Sequence, residues 1–277
     1  MDKPDISVLT VTRNRPDILR LKGASLVDQT VSYARFEWIV CVNGPCAETE
    51  AFLRGQHYPF ALHVIELDEA VSVSRARNAC ARRARGEYYY LSDDDCLLAE
   101  RTLELHWQAQ RVAPRLLVGG IRFIDGPEVV CWSPNRAHYW NVNGANTSLP
   151  AAIFQEVDGF DEWLVDYGGE DLLLGYKVFA RGLEIDALQG AMVDHVGANP
   201  MRATDLAKAR SAGGNAVLIA RRYPRLAFRL GVHPQLLALK RALFRTPFGT
   251  LMKGFAPQRY AYERAYLEGA EDRLRGI

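Results

Sequence analysis

Cysteine is scarce in this 277-residue chain and poorly spaced for structural work. Cys41, Cys46, Cys80, Cys96 and Cys131 are odd in number, and no two form a CxxC pair. That argues against a disulfide framework or a structural zinc site and for a reducing compartment. Long apolar runs are also missing, since no stretch approaches the roughly 18 residues needed to cross a bilayer. The opening MDKPDISVLT lacks a basic start followed by an apolar core, so no secretory signal is expected. The expected location is cytoplasmic, at most peripheral at the inner face of the membrane. GxxxxGKS/T is absent, which removes the P-loop NTPases. No GxGxxG follows the first apolar run, and neither GxSxG nor HExxH occurs.

Acidic residues are missing from one long segment: none lies between Asp205 and Glu263. Residues 201–277 hold 15 Lys/Arg and 5 Asp/Glu, a net +10. Subtraction from the chain totals of 34 basic and 33 acidic leaves 19 and 28 in residues 1–200, a net −9. The overall +1 thus joins an acidic body to a basic tail, which can meet nucleic acid, an anionic membrane or that body. The remaining composition, 48% hydrophobic and 24% charged, is ordinary globular usage and excludes disordered, collagen-like and coiled-coil classes.

Along the first 130 residues apolar runs alternate with helix-like stretches. Ile6–Thr12, Glu37–Val42 and Ala61–Leu67 read as buried strands. Pro16 is a favourable first residue for a helix after the first of them. Asn43-Gly44-Pro45 is a turn signal after the second. Ser72 caps a helix running to Arg85, which Gly86 ends. A fourth strand, Glu87–Leu91, runs into Ser92-Asp93-Asp94-Asp95. A helix from Glu100 to Val112, strands at Leu116–Ile124 and Val129–Trp132, and helices at Ala151–Val157 and Asp171–Ala180 follow. This alternation predicts an α/β fold with a mostly parallel central sheet flanked by helices. Ligands of such sheets bind beyond the carboxyl ends of the strands, where Thr12, Asn43 and the aspartates fall. The basic, helix-like part after Asn199-Pro200 reads as a C-terminal appendage.

Three adjacent carboxylates at a strand's end, Asp93 to Asp95, repel one another and call for a cation or hydrogen-bond donors. Hard oxygen ligands suit Mg²⁺ or Mn²⁺, which share coordination with substrate phosphates; the alternative is a solvated acidic turn. Gly168-Gly169-Glu170-Asp171 precedes an apolar helix. Its acids suit a first helical turn, and its paired glycines let backbone approach a ligand. His195 is a candidate metal ligand, with Asp194 beside it. Trp132, Trp140, Trp163 and Tyr167 can stack on the apolar face of a sugar or serve packing.

Ser7–Arg15 (SVLTVTRNR) resembles the SVVIPTYNR opening of inverting family-2 glycosyltransferases with the nucleotide-diphospho-sugar (GT-A) fold. Ser74–Cys96 is similar to that family's ARNxG…GEYxxFLDxDD stretch, and Gly159–Gly182 resembles an acceptor-side GF…GGED…R motif. The likeness covers about residues 5–200. It implies a GT-A Rossmann-like domain, about 1–98 for the nucleotide-sugar and 99–200 for the acceptor, with 201–277 as a helical basic appendage. It implies an enzyme that moves a sugar from a nucleoside-diphosphate sugar to a glycan, polysaccharide or lipid-linked hydroxyl, with Mn²⁺ or Mg²⁺. Carried over by position, Thr12 and Arg13 lie at the nucleotide and Arg77 and Asn78 near the diphosphate or base. Asp93 faces ribose or metal, Asp94 joins the nucleotide-sugar contacts, and Asp95 is the main metal ligand with His195 as a further one. Asp171 is the catalytic base. Glu170 holds the acceptor, with Gly168, Gly169, Trp140 and Trp163 on that side. Where the family reads VDNGS, this chain has Val42-Asn43-Gly44-Pro45, so the base-contacting carboxylate is replaced and Asn43 is left to bond a base edge.

Two other classes share some of these features. A nucleotidyltransferase making sugar nucleotides also uses Asp-held metal, but it needs a Gly-rich basic loop where TRNRPD stands. A non-catalytic carbohydrate-binding relative would tolerate loss of Asp95 or Asp171, and both are present. His233–Phe255 alternates apolar and basic residues as interfacial helices do, which suits a peripheral contact with an anionic membrane; the alternative is a helical cap packed on the acidic body, and nucleic acid is a poor partner.

Overall fold

The computed structural model describes residues 3–125, 129–198 and 205–276. The chain divides into two compact units, Met1–Val165 with Asp171–Gly197, and Asp166–Glu170 with Ala198–Ile277. The boundary expected near Asn199-Pro200 falls outside the described residues.

The first unit begins with β1 (Ile6–Thr12), α1 (Pro16–Val27), β2 (Phe36–Val42), α2 (Ala47–Arg54), β3 (Ala61–Glu66), α3 (Val73–Arg83) and β4 (Tyr88–Leu91). It continues with β5 (Cys96–Leu98), α4 (Thr102–Val112), β6 (Leu116–Asp125), β7 (Val130–Trp132), β8 (Thr147–Pro150) and α5 (Ala151–Glu156). It closes with α6 (Glu170–Ala180) and β9 (Ile185–Ala198). Among the described residues the strands form one sheet in the order β3-β2-β1-β4-β8-β6-β9-β5, with β7 paired to β6. The parallel part that the sequence predicts is β3-β2-β1-β4, with Val8 opposite Trp38 and Tyr90. Beyond β4 the sheet continues through antiparallel pairs, starting with Leu91 opposite Thr147. This is a GT-A-type mixed α/β sheet with helices on both faces.

Period-two alternation explains both faces. Val8, Trp38, Val40 and Tyr90 point to one side, where Leu19 and Leu26 of α1 and Leu103 of α4 meet them. Leu9, Ile39, Cys41 and Leu91 point to the other, against Ala76 and Cys80 of α3 and Leu174 and Val178 of α6. β1 is buried on both faces, so it reads as a continuous apolar run, and each such Leu or Val contributes about 1.5–3 kcal/mol.

The structure departs from the sequence reading at α3 and at three strands. Ser72 caps α3 by accepting from the Arg75 N–H, as expected. The helix stops at Arg83, and Gly86 does not end it. Gly86 instead passes against β1, where its N–H donates to Ser7 Oγ (2.8 Å) and a Cβ would run into the Ser7 backbone. β5 and β8 are too short to display a period, and β9 is interrupted by Gly190 at φ +82°, so none of the three is legible in the sequence.

One buried polar network ties the antiparallel half together. Asn146 Nδ2 donates to the carbonyls of Gly120 (2.8 Å) and Ala191 (3.0 Å). Its Oδ1 accepts from Tyr90 Oη and from His106 Nε2, both at 2.9 Å. His106 Nδ1 in turn accepts from Ser148 Oγ (2.7 Å). Burial pushes the His106 imidazole down to about 4 from 6.5. Folding therefore excludes a proton that the unfolded chain binds, and stability present above pH 6.5 is lost as pH falls towards 4. Urea unfolding is expected to show a loss of about 2 kcal/mol between pH 7 and 5 from this group, and His106→Gln should lack that increment.

The second unit contains α7 (Leu206–Arg222), α8 (Pro234–Arg245), α9 (Pro247–Phe255) and α10 (Pro257–Arg275). Gly213 of α7 faces the Tyr266 carbonyl and Gly269 of α10 faces that of Arg210, and a Cβ at either position would prevent the helices from packing backbone to backbone. Ala216, Val217, Val232, Leu237, Leu267 and Ala270 form its core.

Candidate active site

Strand β4 delivers the aspartates to the carboxyl end of the parallel sheet, and the turn after β1 meets them there. Asn14 adopts φ +54°, a left-handed conformation that Asn tolerates better than most residues. The turn directs Arg15 onto Asp94 (3.1 Å) and Asp95 (3.0 Å), while Thr12 Oγ1 donates to Asp94 Oδ2 (2.7 Å). Burial pushes the Asp94 carboxyl up, against the pull of Thr12 and Arg15. The charge of Asp94 raises the Arg15 guanidinium in turn. Asp94 is thus absorbed by the fold, leaving Asp93 and Asp95 on either side of it.

Below the triplet lies Lys22, fully buried in α1 at the spacing of Leu19 and Leu26. Its ammonium donates to Ser92 Oγ and to the carbonyls of Asp93 (3.2 Å) and Cys96. Burial lowers it to about 8. A positive charge under three carboxylates relieves part of their mutual repulsion.

Asp171, in the first turn of α6, is held from two directions. Arg77 of α3 donates through Nη1 to Asp171 Oδ1 (2.8 Å) and through Nη2 to Asp93 Oδ1 (2.8 Å). The Gly144 N–H donates to Asp171 Oδ2 (3.0 Å). Asn143 sets up that contact, because its Oδ1 accepts from the N–H groups of Ala145 (3.1 Å) and Asn146 (2.9 Å) and folds the loop into a tight turn. A Cβ at Gly144 would run into the Arg77 guanidinium and displace it from this bridge. One buried arginine therefore bridges a carboxylate at the end of β4 and a carboxylate at the start of α6.

The third corner is a candidate cation site. Cys96 opens β5 directly opposite His195 of β9. His195 Nε2 lies 3.6 Å from Asp95 Oδ1, and its Nδ1 is buried without a hydrogen-bond partner. Among the described residues Asp95, Cys96 and His195 are the one trio of such side chains whose ligand atoms lie within 4.8 Å of one another. His195 Nε2 beside the Asp95 carboxylate is a donor pair that fits a divalent cation. Burial keeps the Cys96 thiol protonated, so for hard Mg²⁺ or Mn²⁺ the oxygens and the imidazole are the better donors.

The other expected residues fall as follows. The Asn43 amide is taken up by the Val71 backbone (2.9 and 2.8 Å), and the Asn78 amide by Phe160 and Glu162. Arg13 is exposed, and Arg15 rather than Arg13 reaches the carboxylates. Trp140 sits in the turn Tyr139–Asn141, stacked on His138 at 3.7 Å, and Trp163 Nε1 donates to Asp161 (2.9 Å). Glu170 is the first residue of α6. Gly168 (φ +102°) and Gly169 (φ +94°) adopt a backbone that disfavours any other residue. The Gly168 carbonyl accepts from Asn215 (2.9 Å) within the second unit.

Arg15, Lys22, Cys96 and Gly144 escaped the sequence reading. The signal for Lys22 was present, a lysine on the apolar face of a helix. For Gly144 it was the NGAN run, whose turn chemistry carried no partner until α6 was in place.

The profile of glycosyl transferase family 2 matches residues 7–161, and that described as the N-terminal domain of galactosyltransferase matches residues 132–197. Validoxylamine A glucosyltransferases from Streptomyces hygroscopicus subsp. jinggangensis and subsp. limoneus are each 26% identical over 226 residues, covering 65% of this chain. The chain spans about half the length of these relatives, 52% and 49% respectively. Among solved structures, the mannosyltransferase PcManGT from Pyrobaculum calidifontis, in complex with GDP-Man and Mn²⁺, superposes with a TM-score of 0.65 at 20% identity over 99% of this chain and 88% of that one. S. aureus TarS 1–349 in complex with UDP-GlcNAc gives 0.60 at 17% identity over 98% and 92%. These structural likenesses concern the fold. The family profile spans β1, the aspartate triplet and Arg77, more than half of the chain, and on that ground the protein belongs to glycosyl transferase family 2.

Proposed function

We propose that this chain is a divalent-metal-dependent inverting glycosyltransferase. It would move a sugar from a nucleoside-diphosphate sugar to a hydroxyl of a glycan, polysaccharide or lipid-linked acceptor. The observation that carries the reading is the Arg77 bridge, which sets the donor-side Asp93 and the candidate base Asp171 one guanidinium apart. The names of the curated relatives, both glucosyltransferases, support sugar transfer. The GDP-Man and Mn²⁺ bound by one structural neighbour and the UDP-GlcNAc bound by another support a nucleotide-sugar donor.

Asp95 and His195, with Asp93, would hold Mn²⁺ or Mg²⁺. When bound, that ion supplies charge neutralisation for a departing nucleoside diphosphate. Asp171 accepts the proton of the acceptor hydroxyl as its oxygen attacks the anomeric carbon. The new carbon–oxygen bond forms on the face opposite the breaking bond to phosphate, so one displacement inverts the centre. Arg77 and the Gly144 N–H orient Asp171 for that step. Thr12 and Arg15 act through Asp94. Arg13 stays with the nucleotide, while Asn43 and Asn78 shape the loops around it. Glu170, Gly168, Gly169, Trp140 and Trp163 are assigned to the acceptor, and the segment 233–255 to a peripheral contact with anionic membrane.

The test is a screen of nucleotide-sugars for Mn²⁺-dependent rise of the unfolding midpoint. A ligand at about 100 times its Kd stabilises by about 2.7 kcal/mol. Asp95→Asn is expected to remove most of the Mn²⁺-dependent part of that shift. No stabilisation by any nucleotide-sugar with metal, or an unchanged shift in Asp95→Asn, would refute the donor and metal assignments respectively.

A further inference from the structure

We propose that the outer face of α8 and α9 lies flat on an anionic lipid bilayer, which deepens the membrane contact given above by naming the side chains that enter it. Leu239 and Leu243 stand one turn apart on α8 and are 53% and 38% exposed. Leu251 and Phe255 repeat that spacing on α9 and are 55% and 85% exposed. Only Thr246 separates the two helices, so four large apolar side chains crowd into 17 residues, 239–255. Scattered single exposures are normal on a protein surface, but a helically spaced set on consecutive helices marks an interaction face.

Charge identifies the occupant. Lys240 and Arg241 of α8 pair with Glu263 (3.1 Å) and Glu271 (2.5 Å) of α10, so they hold the helix down. Arg245 of α8, Lys253 of α9 and Arg259 at the start of α10 are exposed, and no Asp or Glu occurs from 206 to 262. Helices that carry apolar and cationic side chains but no acid of their own have the composition of helices that lie in the headgroup layer. A nucleic acid would use the cations but not Leu251 or Phe255, and a second copy of this face would bring cation against cation. Among the described residues no helix is long and apolar enough to cross a membrane, so the contact lies on the bilayer and does not span it.

Co-sedimentation of the full chain with vesicles tests this at low salt. Phosphatidylcholine containing about one third phosphatidylglycerol should pellet the protein, and phosphatidylcholine alone should not. Leu251→Gln/Phe255→Gln is expected to weaken binding at least about tenfold. Each of Arg245→Gln, Lys253→Gln and Arg259→Gln should weaken it about fivefold. Phe255→Trp supplies a readout independent of variant folding, because its fluorescence should shift to the blue on adding anionic vesicles. Failure of the wild type to bind anionic vesicles, unchanged binding by the double variant, or no blue shift would each overturn the proposal. So would self-association in solution that the double variant abolishes, since the face would then belong to a second copy. Nucleotide-sugar binding should be the same in all these variants, which keeps this outcome separate from that of the transferase reading.

Discussion

Asp171→Asn is expected to lower turnover about a thousandfold while leaving the affinity for nucleotide-sugar within a few-fold of wild type. The substitution keeps the shape of the side chain and one oxygen for Arg77. It removes the negative charge that would take the proton and turns the acceptor for the Gly144 N–H into a donor. The loss should therefore appear in kcat, with donor binding measured by titration calorimetry nearly unchanged. Turnover within tenfold of wild type would move the base to another residue. A large loss of donor affinity would instead mean that Asp171 serves the donor.

Arg77→Met should have the second largest effect, on two quantities at once. The side chain is buried and offers one nitrogen to Asp93 and another to Asp171, so its removal leaves two carboxylates near each other without their shared cation. Breaking a buried pair typically costs 3–5 kcal/mol. Water reaches Asp93, whose side chain is 41% exposed, so about 3 kcal/mol is expected in urea unfolding. Activity should fall as well, because Asp171 loses the group that fixes its Oδ1. Arg77→Lys separates the two effects. A single ammonium restores charge but cannot direct two nitrogens along fixed lines, so it should recover much of the stability and little of the turnover. Full recovery of turnover by lysine would show that only the charge matters.

The segments that carry the candidate site residues were legible in the sequence because their signals are local. An apolar strand ending in three aspartates, a capped helix carrying Arg77 and Asn78, and a glycine pair before an acidic helix start each lie within about a dozen residues. Period-two burial and turn chemistry act over that range, so β1 to β4 and α3 appear near their observed places. The partners of those residues were not legible. Asn43 and Asn78 looked like ligand groups, yet each amide is consumed by a backbone segment 28 and 82 residues away. Arg15 could not be told from Arg13 before the left-handed Asn14 fixed the direction of the turn.

What the sequence determined by itself was the parallel half of the sheet, the acidic end of β4, the apolar period of α6 and the split between an acidic body and a basic tail. These follow from propensity, periodicity and charge, which neighbouring residues set among themselves. Only the tertiary structure decided that Arg77 joins Asp93 to Asp171, that Gly144 offers its N–H to the same carboxylate, and that Cys96 and His195 face each other across β5 and β9. Those contacts bring together segments up to about a hundred residues apart. Their direction depends on β5, β8 and β9, which carry almost no hydrophobic period of their own; a buried hydrogen-bond network centred on Asn146 ties β8 and β9 to the rest of the sheet.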